Sequence, residues 1–117
     1  MKKFSIGDIV FVAKYHYKSG ELGENHLFVI IDDGQAIDWD NYFGFLVTSN
    51  QEQIKYPYNK KLNKNDKNHL DKDSVVKCDD FIEISEEEIQ FKVGNVEQSD
   101  LERFLDTYFK YLATVKD

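Results

Sequence analysis

The sequence predicts a mainly β fold with one helix: short strands form an open barrel or strongly curved sheet, and a C-terminal helix packs across it. Two observations predict this fold. Short runs of β-branched and aromatic residues are separated by glycine-marked or polar turns, and one segment near the C-terminus carries apolar residues at the helical period. With 117 residues and 41% hydrophobic content, the chain can bury a core, so we expect a single domain over residues 1–117.

Four strands are predicted in chain order. Apolar runs at Ile9–Val12 and Leu27–Ile31 predict the first two, and the polar, glycine-containing segment Lys18–Asn25 between them predicts an exposed, mobile loop. Tyr42–Thr48 predicts the third strand and Ser74–Ile84 the fourth. Thr48 is therefore expected where the third strand ends.

The period of two in the fourth strand predicts which way its side chains point. Lys77 and Asp79 share one face, and Val76 and Cys78 share the other. The charged pair can therefore line a groove while Cys78 enters the core. An ordinary solvent-exposed strand would show the same pattern.

Two Ser-x-x-Glu segments predict helix starts. Ser85–Glu88 predicts a single helical turn, and Ser99–Glu102 precedes the longer C-terminal helix. The helix carries an apolar stripe at the 3.6-residue period, formed by Leu101, Phe104, Leu105, Tyr108, Phe109 and Leu112. We interpret this stripe as core packing or a dimer contact.

Charge is distributed unevenly along the chain, whose formal net charge is −7. An even spread of negative charge would argue against a nucleic-acid ligand. Between residues 51 and 77, however, seven lysines accompany four carboxylates, whereas eleven carboxylates accompany four basic residues from Cys78 onward. This polarity predicts two surfaces with different partners, although a lysine-rich solvated loop over residues 56–68 would have the same composition.

The start of the chain predicts neither a signal peptide nor a membrane span. Lys2 and Lys3 precede an apolar run that Asp8 interrupts after a few residues. Cys78 is the single cysteine, so an internal disulfide is not possible and a reducing compartment is expected. We therefore expect a cytoplasmic protein without a membrane partner, in which Cys78 is a small buried apolar residue.

The sequence lacks the motifs of several common enzyme classes. A phosphate-binding Walker loop, a paired-glycine dinucleotide fingerprint and a nucleophile elbow are absent, and one cysteine with three scattered histidines cannot form a standard structural zinc site. We therefore expect neither a cofactor nor a metal. The remaining reactive side chains suit acid–base chemistry on a phosphate ester; they are His16, His26, Thr48, Lys77, Asp79 and Asp80.

Three short motifs occur in a particular order along the chain. They are Gly7–Val12 near the start, Val47–Ser49 at the end of the third strand, and Asp73–Asp79 in the fourth. Their order and spacing resemble those of the MazF/PemK (Kid-like) toxins of type II toxin-antitoxin systems, and Ile84-Ser85 and the terminal helix also fall where that family has them. The resemblance implies a small SH3-like barrel that dimerises, cleaves single-stranded RNA or mRNA without a metal, and is inhibited by a cognate antitoxin.

The resemblance also implies the site residues. Family members use an Arg-Pro step at the start of the second strand, the threonine of a Thr-Ser step and, in some members, an Arg-Cys-Asp segment. Here Thr48 matches the threonine and Asp79 matches the aspartate, while Lys77 takes the place of the arginine before cysteine. His26-Leu27 stands where Arg-Pro is expected, and Asp80 stands where the family usually has glutamine. Both changes make the site less cationic.

Metal-free RNA cleavage by the ribose 2′-hydroxyl needs a base, an acid and positive charge at the transition state, and it leaves 2′,3′-cyclic phosphate ends. We assign Asp79 as the base, Lys77 as the group that stabilises phosphorane charge, and Thr48 as a hydrogen-bond donor to phosphate. His26 is assigned as the acid or a second cationic group, although a structural histidine would look the same. Nearby residues predicted to bind RNA are Ser49, Lys55, Lys60 and Lys61.

Two other functions remain compatible with the sequence. A toxin of the same fold could act on a protein target such as DNA gyrase, as CcdB toxins do, and the replaced Arg-Pro step favours this slightly. A catalytically silent module could keep the barrel and bind RNA or protein, which the net charge favours. Fold alone does not choose among them, because function depends on the site.

Overall fold

The computed structural model describes residues 2–115 and shows one antiparallel sheet of six strands followed by one α-helix. The strand order in the sheet is β4-β5-β3-β2-β1-β6. The predicted fold class, mainly β with a C-terminal helix, is confirmed. The element bounds are β1 Asp8–His16, β2 Leu22–Asp32, β3 Tyr42–Thr48, β4 Asn59–Leu62, β5 Ser74–Ile84, β6 Ile89–Asn95 and α1 Gln98–Val115.

The first two strands are longer than predicted and form a hairpin. Residues 22–25, predicted as part of a mobile loop, belong to β2, and Gly23 pairs with Tyr15 of β1. The glycine is required because a Cβ at position 23 would collide with the Tyr15 ring. At the hairpin turn, Lys18 Nζ donates a 3.0 Å hydrogen bond to Tyr111 Oη of α1. The loop prediction therefore holds only for the short turn.

The lysine-rich part of the chain is more ordered than a solvated loop. It contains a 3-10 helix at Gln51–Lys55 and the edge strand β4. The sequence analysis missed both elements because their composition is polar. It also missed β6, although Ile89–Val93 alternates apolar and polar residues as a half-buried strand does.

The segment after β4 connects the two edges of the sheet. The backbone N–H of Asn95 in β6 donates to Lys67 O at 3.2 Å, and Gly94 leaves room for the backbone of Asn68, which a Cβ would strike. Asn68 is fully buried, and its side-chain amide binds three backbone groups of its own segment, at residues 63, 65 and 70. This amide therefore holds the segment that closes the open side of the sheet.

Apolar side chains pack on both faces of the sheet. Val29, Phe45 and Val76 belong to the cluster that α1 covers with Leu101 and Phe104, and a second cluster around Phe28 and Leu46 fills the other face. The predicted helix stripe is only partly core: Leu105 and Tyr108 are half-buried, whereas Phe109 and Leu112 are exposed. Ser85–Glu88 does form a single turn, a 3-10 helix at Glu86–Glu88.

Candidate functional site

Three adjacent strands carry the predicted catalytic residues. His26 lies on β2, Thr48 ends β3, and Lys77 and Asp79 lie on β5. Leu27 pairs with Val47 and Val47 with Val76, but the pairing of β3 with β5 is interrupted from Lys77 to Asp80. Since the sheet order is β5-β3-β2, Thr48 lies on the strand between the other three residues.

These residues border two separate surface depressions. The strand-end depression, of about 380 Å³, is lined by residues that include His26, Thr48, Ser49 and Lys72. The turn-side depression, of about 530 Å³, is lined by residues that include Tyr56, Asn59, Lys77, Asp79 and Asp80. The structure thus groups His26 with Thr48 and Lys77 with Asp79, and it does not place all four around one depression.

His26 is oriented by hydrogen bonds on one side of its ring. Its Nδ1 lies 2.8 Å from Tyr15 Oη and 3.2 Å from the backbone oxygen of Glu24. We assign the hydrogen to Nδ1, because a carbonyl oxygen can only accept and Tyr15 Oη donates onward to Tyr17 Oη at 3.0 Å. Burial and the contact with Tyr17 raise the pKa of the Tyr15 phenol. His26 therefore presents Nε2 as its free nitrogen.

Thr48 has a hydroxyl hydrogen available for a ligand. Its Oγ1 accepts a 3.2 Å hydrogen bond from the backbone N–H of Asn50. The oxygen accepts this bond through one lone pair, and the hydroxyl hydrogen can still rotate toward an incoming acceptor. Ser49, which follows, is exposed at the rim of the same depression.

The facing predicted for β5 is confirmed. Val76 and Cys78 are fully buried in the core cluster under α1, while Lys77 and Asp79 are half-buried and line the turn-side depression. Burial raises the pKa of the Cys78 thiol to about 12, so this cysteine stays protonated at neutral pH and is not a nucleophile. Its interpretation as a small buried apolar residue is correct.

The charges in the turn-side depression are unequally paired. Lys77 Nζ lies 3.6 Å from a carboxylate oxygen of Asp80, which follows at i+3. Asp79, in contrast, forms no side-chain hydrogen bond or ion pair within residues 2–115. The lysine is thus partly neutralised, and the Asp79 carboxylate is free to accept a proton or a hydrogen bond.

The predicted RNA-binding lysines lie around the turn-side depression rather than in it. Lys55 is exposed at the end of the 3-10 helix, with Nζ 5.4 Å from the ring centre of Tyr56. Lys60 and Lys61 lie on β4, opposite Val76 and Val75 of β5. The backbone oxygen of Lys61 accepts from Arg103 of α1, which fixes the edge strand against the helix.

Two other depressions have different linings, and one of them, of about 460 Å³, is bordered by residues that include Lys14, His16 and Glu88. The other, of about 510 Å³, is acidic and is bordered by Asp38, Asp40, Glu86 and Glu87, so it does not suit a phosphate. Within residues 2–115, no three His, Cys, Asp or Glu side chains are close enough together to hold a metal ion. No helix in the described part of the chain is long and apolar enough to cross a membrane.

Comparison with known protein families agrees with the observed fold. Residues 5–107 match the sequence profile of the PemK-like, MazF-like toxin of type II toxin-antitoxin systems. The chain belongs to this toxin family. The match covers all six strands and most of α1, and toxins of the family pair with antitoxins. A search of curated proteins found no significant match.

In this PemK-like toxin, several site residues escaped the sequence analysis. Tyr15 orients His26, and Tyr56 and Asn59 line the turn-side depression. Asp80 was among the reactive side chains, but its pairing with Lys77 was not predicted. Aromatic residues interleaved with lysines are a recognisable sequence signal for nucleic-acid binding, and Tyr56 has that setting. The contact between Tyr15 and His26 has no comparable signal, because it depends on the register of the hairpin.

Proposed function

We propose that this chain is the toxin of a toxin-antitoxin pair and cleaves single-stranded RNA at selected sequences in the cytoplasm, without a metal ion. The observation that supports the proposal is the grouping of Thr48 with His26 at the strand-end depression, on the two strands that follow β5 in the sheet order; β5 carries Lys77 and Asp79. Membership of the PemK-like toxin family supports it.

The proposed reaction is an in-line displacement at phosphorus. In such a reaction the attacking and leaving oxygens lie on opposite sides of the phosphorus, so the base and the acid must face each other across it. β5 is not paired with β3 between Val76 and Phe81, so the sheet spacing alone does not set the distance from Asp79 to His26. The proposed reaction therefore requires RNA binding to bring a phosphodiester at the end of β3 into contact with both His26 and Asp79.

Each residue has a defined role in the proposed reaction. Asp79 takes the proton of the ribose 2′-hydroxyl, whose oxygen forms a new bond to phosphorus. The bond to the 5′-oxygen breaks, and that oxygen takes a proton from Nε2 of His26, which must enter the reaction doubly protonated; a 2′,3′-cyclic phosphate end remains. Lys77 stabilises the charge on the phosphorane, and Thr48 donates a hydrogen bond to a phosphate oxygen.

Residues around the two depressions would hold the flanking nucleotides. Ser49 lies at one end of the proposed path, and Lys55, Lys60 and Lys61 lie at the other. Of these, the lysines contribute charge, so RNA binding should weaken with salt. We also propose a homodimer and a cognate antitoxin whose acidic segment competes with RNA for the lysine-rich side.

The test is cleavage of an unstructured RNA in EDTA by the wild type and by the variants Asp79→Ala and Lys77→Ala. The matched controls are Asp106→Ala and Lys110→Ala, which break an exposed ion pair on α1 with a 3.1 Å separation, outside both depressions. Cleavage that leaves cyclic phosphate ends, is lost in the first two variants and persists in the controls supports the proposal.

Two other results would replace the nuclease proposal with a different function. Growth arrest on expression without RNA cleavage would point to a protein target such as gyrase. Absence of both arrest and cleavage would leave a catalytically silent binding module.

A further inference from the structure

The turn-side depression contains a buried hydrogen-bond acceptor without a partner. Asn59 is 4% exposed, and its Nδ2 donates a 2.8 Å hydrogen bond to the backbone oxygen of Gln53, which fixes the orientation of the amide. Within residues 2–115, its Oδ1 has no hydrogen-bond partner. A buried acceptor left unpaired costs on the order of 1–3 kcal/mol, so a ligand that supplies a donor recovers this free energy.

An aromatic ring stands beside this acceptor. Tyr56 is 47% exposed at the rim of the depression, and its backbone oxygen accepts from the N–H of Asn59 at 3.1 Å. An exposed ring offers a face on which a nucleobase can stack, worth about 1–3 kcal/mol per base. The Lys55 ammonium beside the ring is placed to meet the phosphate of the same nucleotide.

We propose that Tyr56 and Asn59 form a nucleobase subsite that selects bases with an exocyclic amino group. The base stacks on the Tyr56 ring, and its amino group donates to Asn59 Oδ1. Uracil presents a carbonyl oxygen where cytosine has the amino group, so two acceptors would face each other and binding would weaken. As a sequence-reading site for RNA cleavage, the subsite rests on the proposed function, because Lys77 and Asp79 line the same depression.

Access to Oδ1 requires a small movement of the turn above it. The oxygen has almost no exposed surface, and Asn59 is bonded to the segment that contains the 3-10 helix Gln51–Lys55. None of the residues of that helix is buried, so little apolar packing opposes its displacement. Binding of a ligand to Oδ1 therefore requires this turn to shift.

The experiment measures binding of mononucleotides, which contain no bond for the enzyme to cleave. Dissociation constants are measured for CMP against UMP and for AMP against IMP, by NMR shifts of the Asn59 side-chain amide and the Tyr56 ring. Within each pair, one exocyclic amino group is exchanged for a carbonyl. We expect the amino form to bind about 3- to 10-fold more tightly.

Variants separate base reading from folding. Asn59→Val should bring the CMP/UMP and AMP/IMP affinity ratios to about one. Because each ratio is taken within one variant, partial unfolding affects both members of a pair equally. Tyr56→Ala should weaken all four nucleotides, and Tyr56→Phe should not.

The outcomes distinguish this inference from the proposed nuclease. The subsite would be overturned, even if RNA is cleaved, by CMP/UMP and AMP/IMP affinity ratios near one in the wild type. A preference for the amino form that survives Asn59→Val would overturn it as well. A clear preference that Asn59→Val removes would support the subsite even if RNA stays intact, and the nuclease proposal would then fail separately.

Discussion

The two depressions differ in how their polar groups are held. In the strand-end depression, His26 is oriented by Tyr15, and Thr48 by the backbone of Asn50. In the turn-side depression, Asp79 and Asn59 Oδ1 have no partner within residues 2–115. The protein therefore holds the polar groups of the strand-end depression in place, whereas those of the turn-side depression are available to hydrogen-bond with a ligand.

This difference indicates that the two depressions have different roles in the proposed site. A pre-oriented hydroxyl and imidazole position a phosphate at little entropic cost, because their rotamers are already set. The unpaired acceptors of the turn-side depression suit proton abstraction by Asp79 and base recognition by Asn59. Substitutions on the two sides should therefore have different effects, which the following predictions test.

The largest effect is expected for Asp79→Asn. The amide cannot take the proton of the 2′-hydroxyl, so the cleavage rate should fall about 10²- to 10⁴-fold. Because Asp79 forms no ion pair in the described chain, the melting temperature should stay within about 2 °C of the wild type. Asp106→Asn is the control, and if Asp79→Asn cleaves RNA as fast as this control, the base is another residue.

A large loss of stability is expected for Asn68→Ala. The substitution removes a buried amide that hydrogen-bonds to three backbone groups in the segment closing the sheet. Unfolding free energy should fall by about 2–3 kcal/mol, measured by urea denaturation. Asn63→Ala is the control, since only the backbone oxygen of Asn63 takes part in this network. Equal stability of the two variants would contradict the role of the buried amide.

The sequence was more informative about the fold than about the site. Period-two alternation correctly oriented Cys78 and Lys77, and the helical period located α1, because both depend on local geometry. The sequence did not reveal the separation of His26 from Asp79 or the pairing of Lys77 with Asp80, since each depends on how the strands twist and bulge. The register between β3 and β5 shifts between Phe45 and Val47, opposite the segment that carries these charges.

An intermediate effect on rate is expected for Tyr15→Phe. The phenylalanine keeps the packing against Phe28 but loses the 2.8 Å hydrogen bond that orients His26. A lost hydrogen bond of about 1 kcal/mol corresponds to roughly a 5-fold lower cleavage rate. The effect should disappear in a His26→Ala background, since Tyr15 acts through that histidine. Additive losses in the double variant would separate Tyr15 from His26.

The smallest effect, and the one that most directly tests the charge difference between the depressions, is expected for Asp80→Gln. The substitution removes the carboxylate 3.6 Å from Lys77 Nζ and introduces the residue that the family usually has. A freed lysine charge should displace about one more counterion from single-stranded RNA, so the salt dependence of binding should steepen by up to about 0.7 in logarithmic slope. Affinity at low salt should rise about 2- to 5-fold, measured with a deoxy oligonucleotide that cannot be cleaved.

Asp100→Gln is the control, because it breaks a 2.9 Å ion pair with Arg103 that lies in neither depression. If both variants change the slope equally, Lys77 contacts no phosphate and its proposed role in catalysis fails.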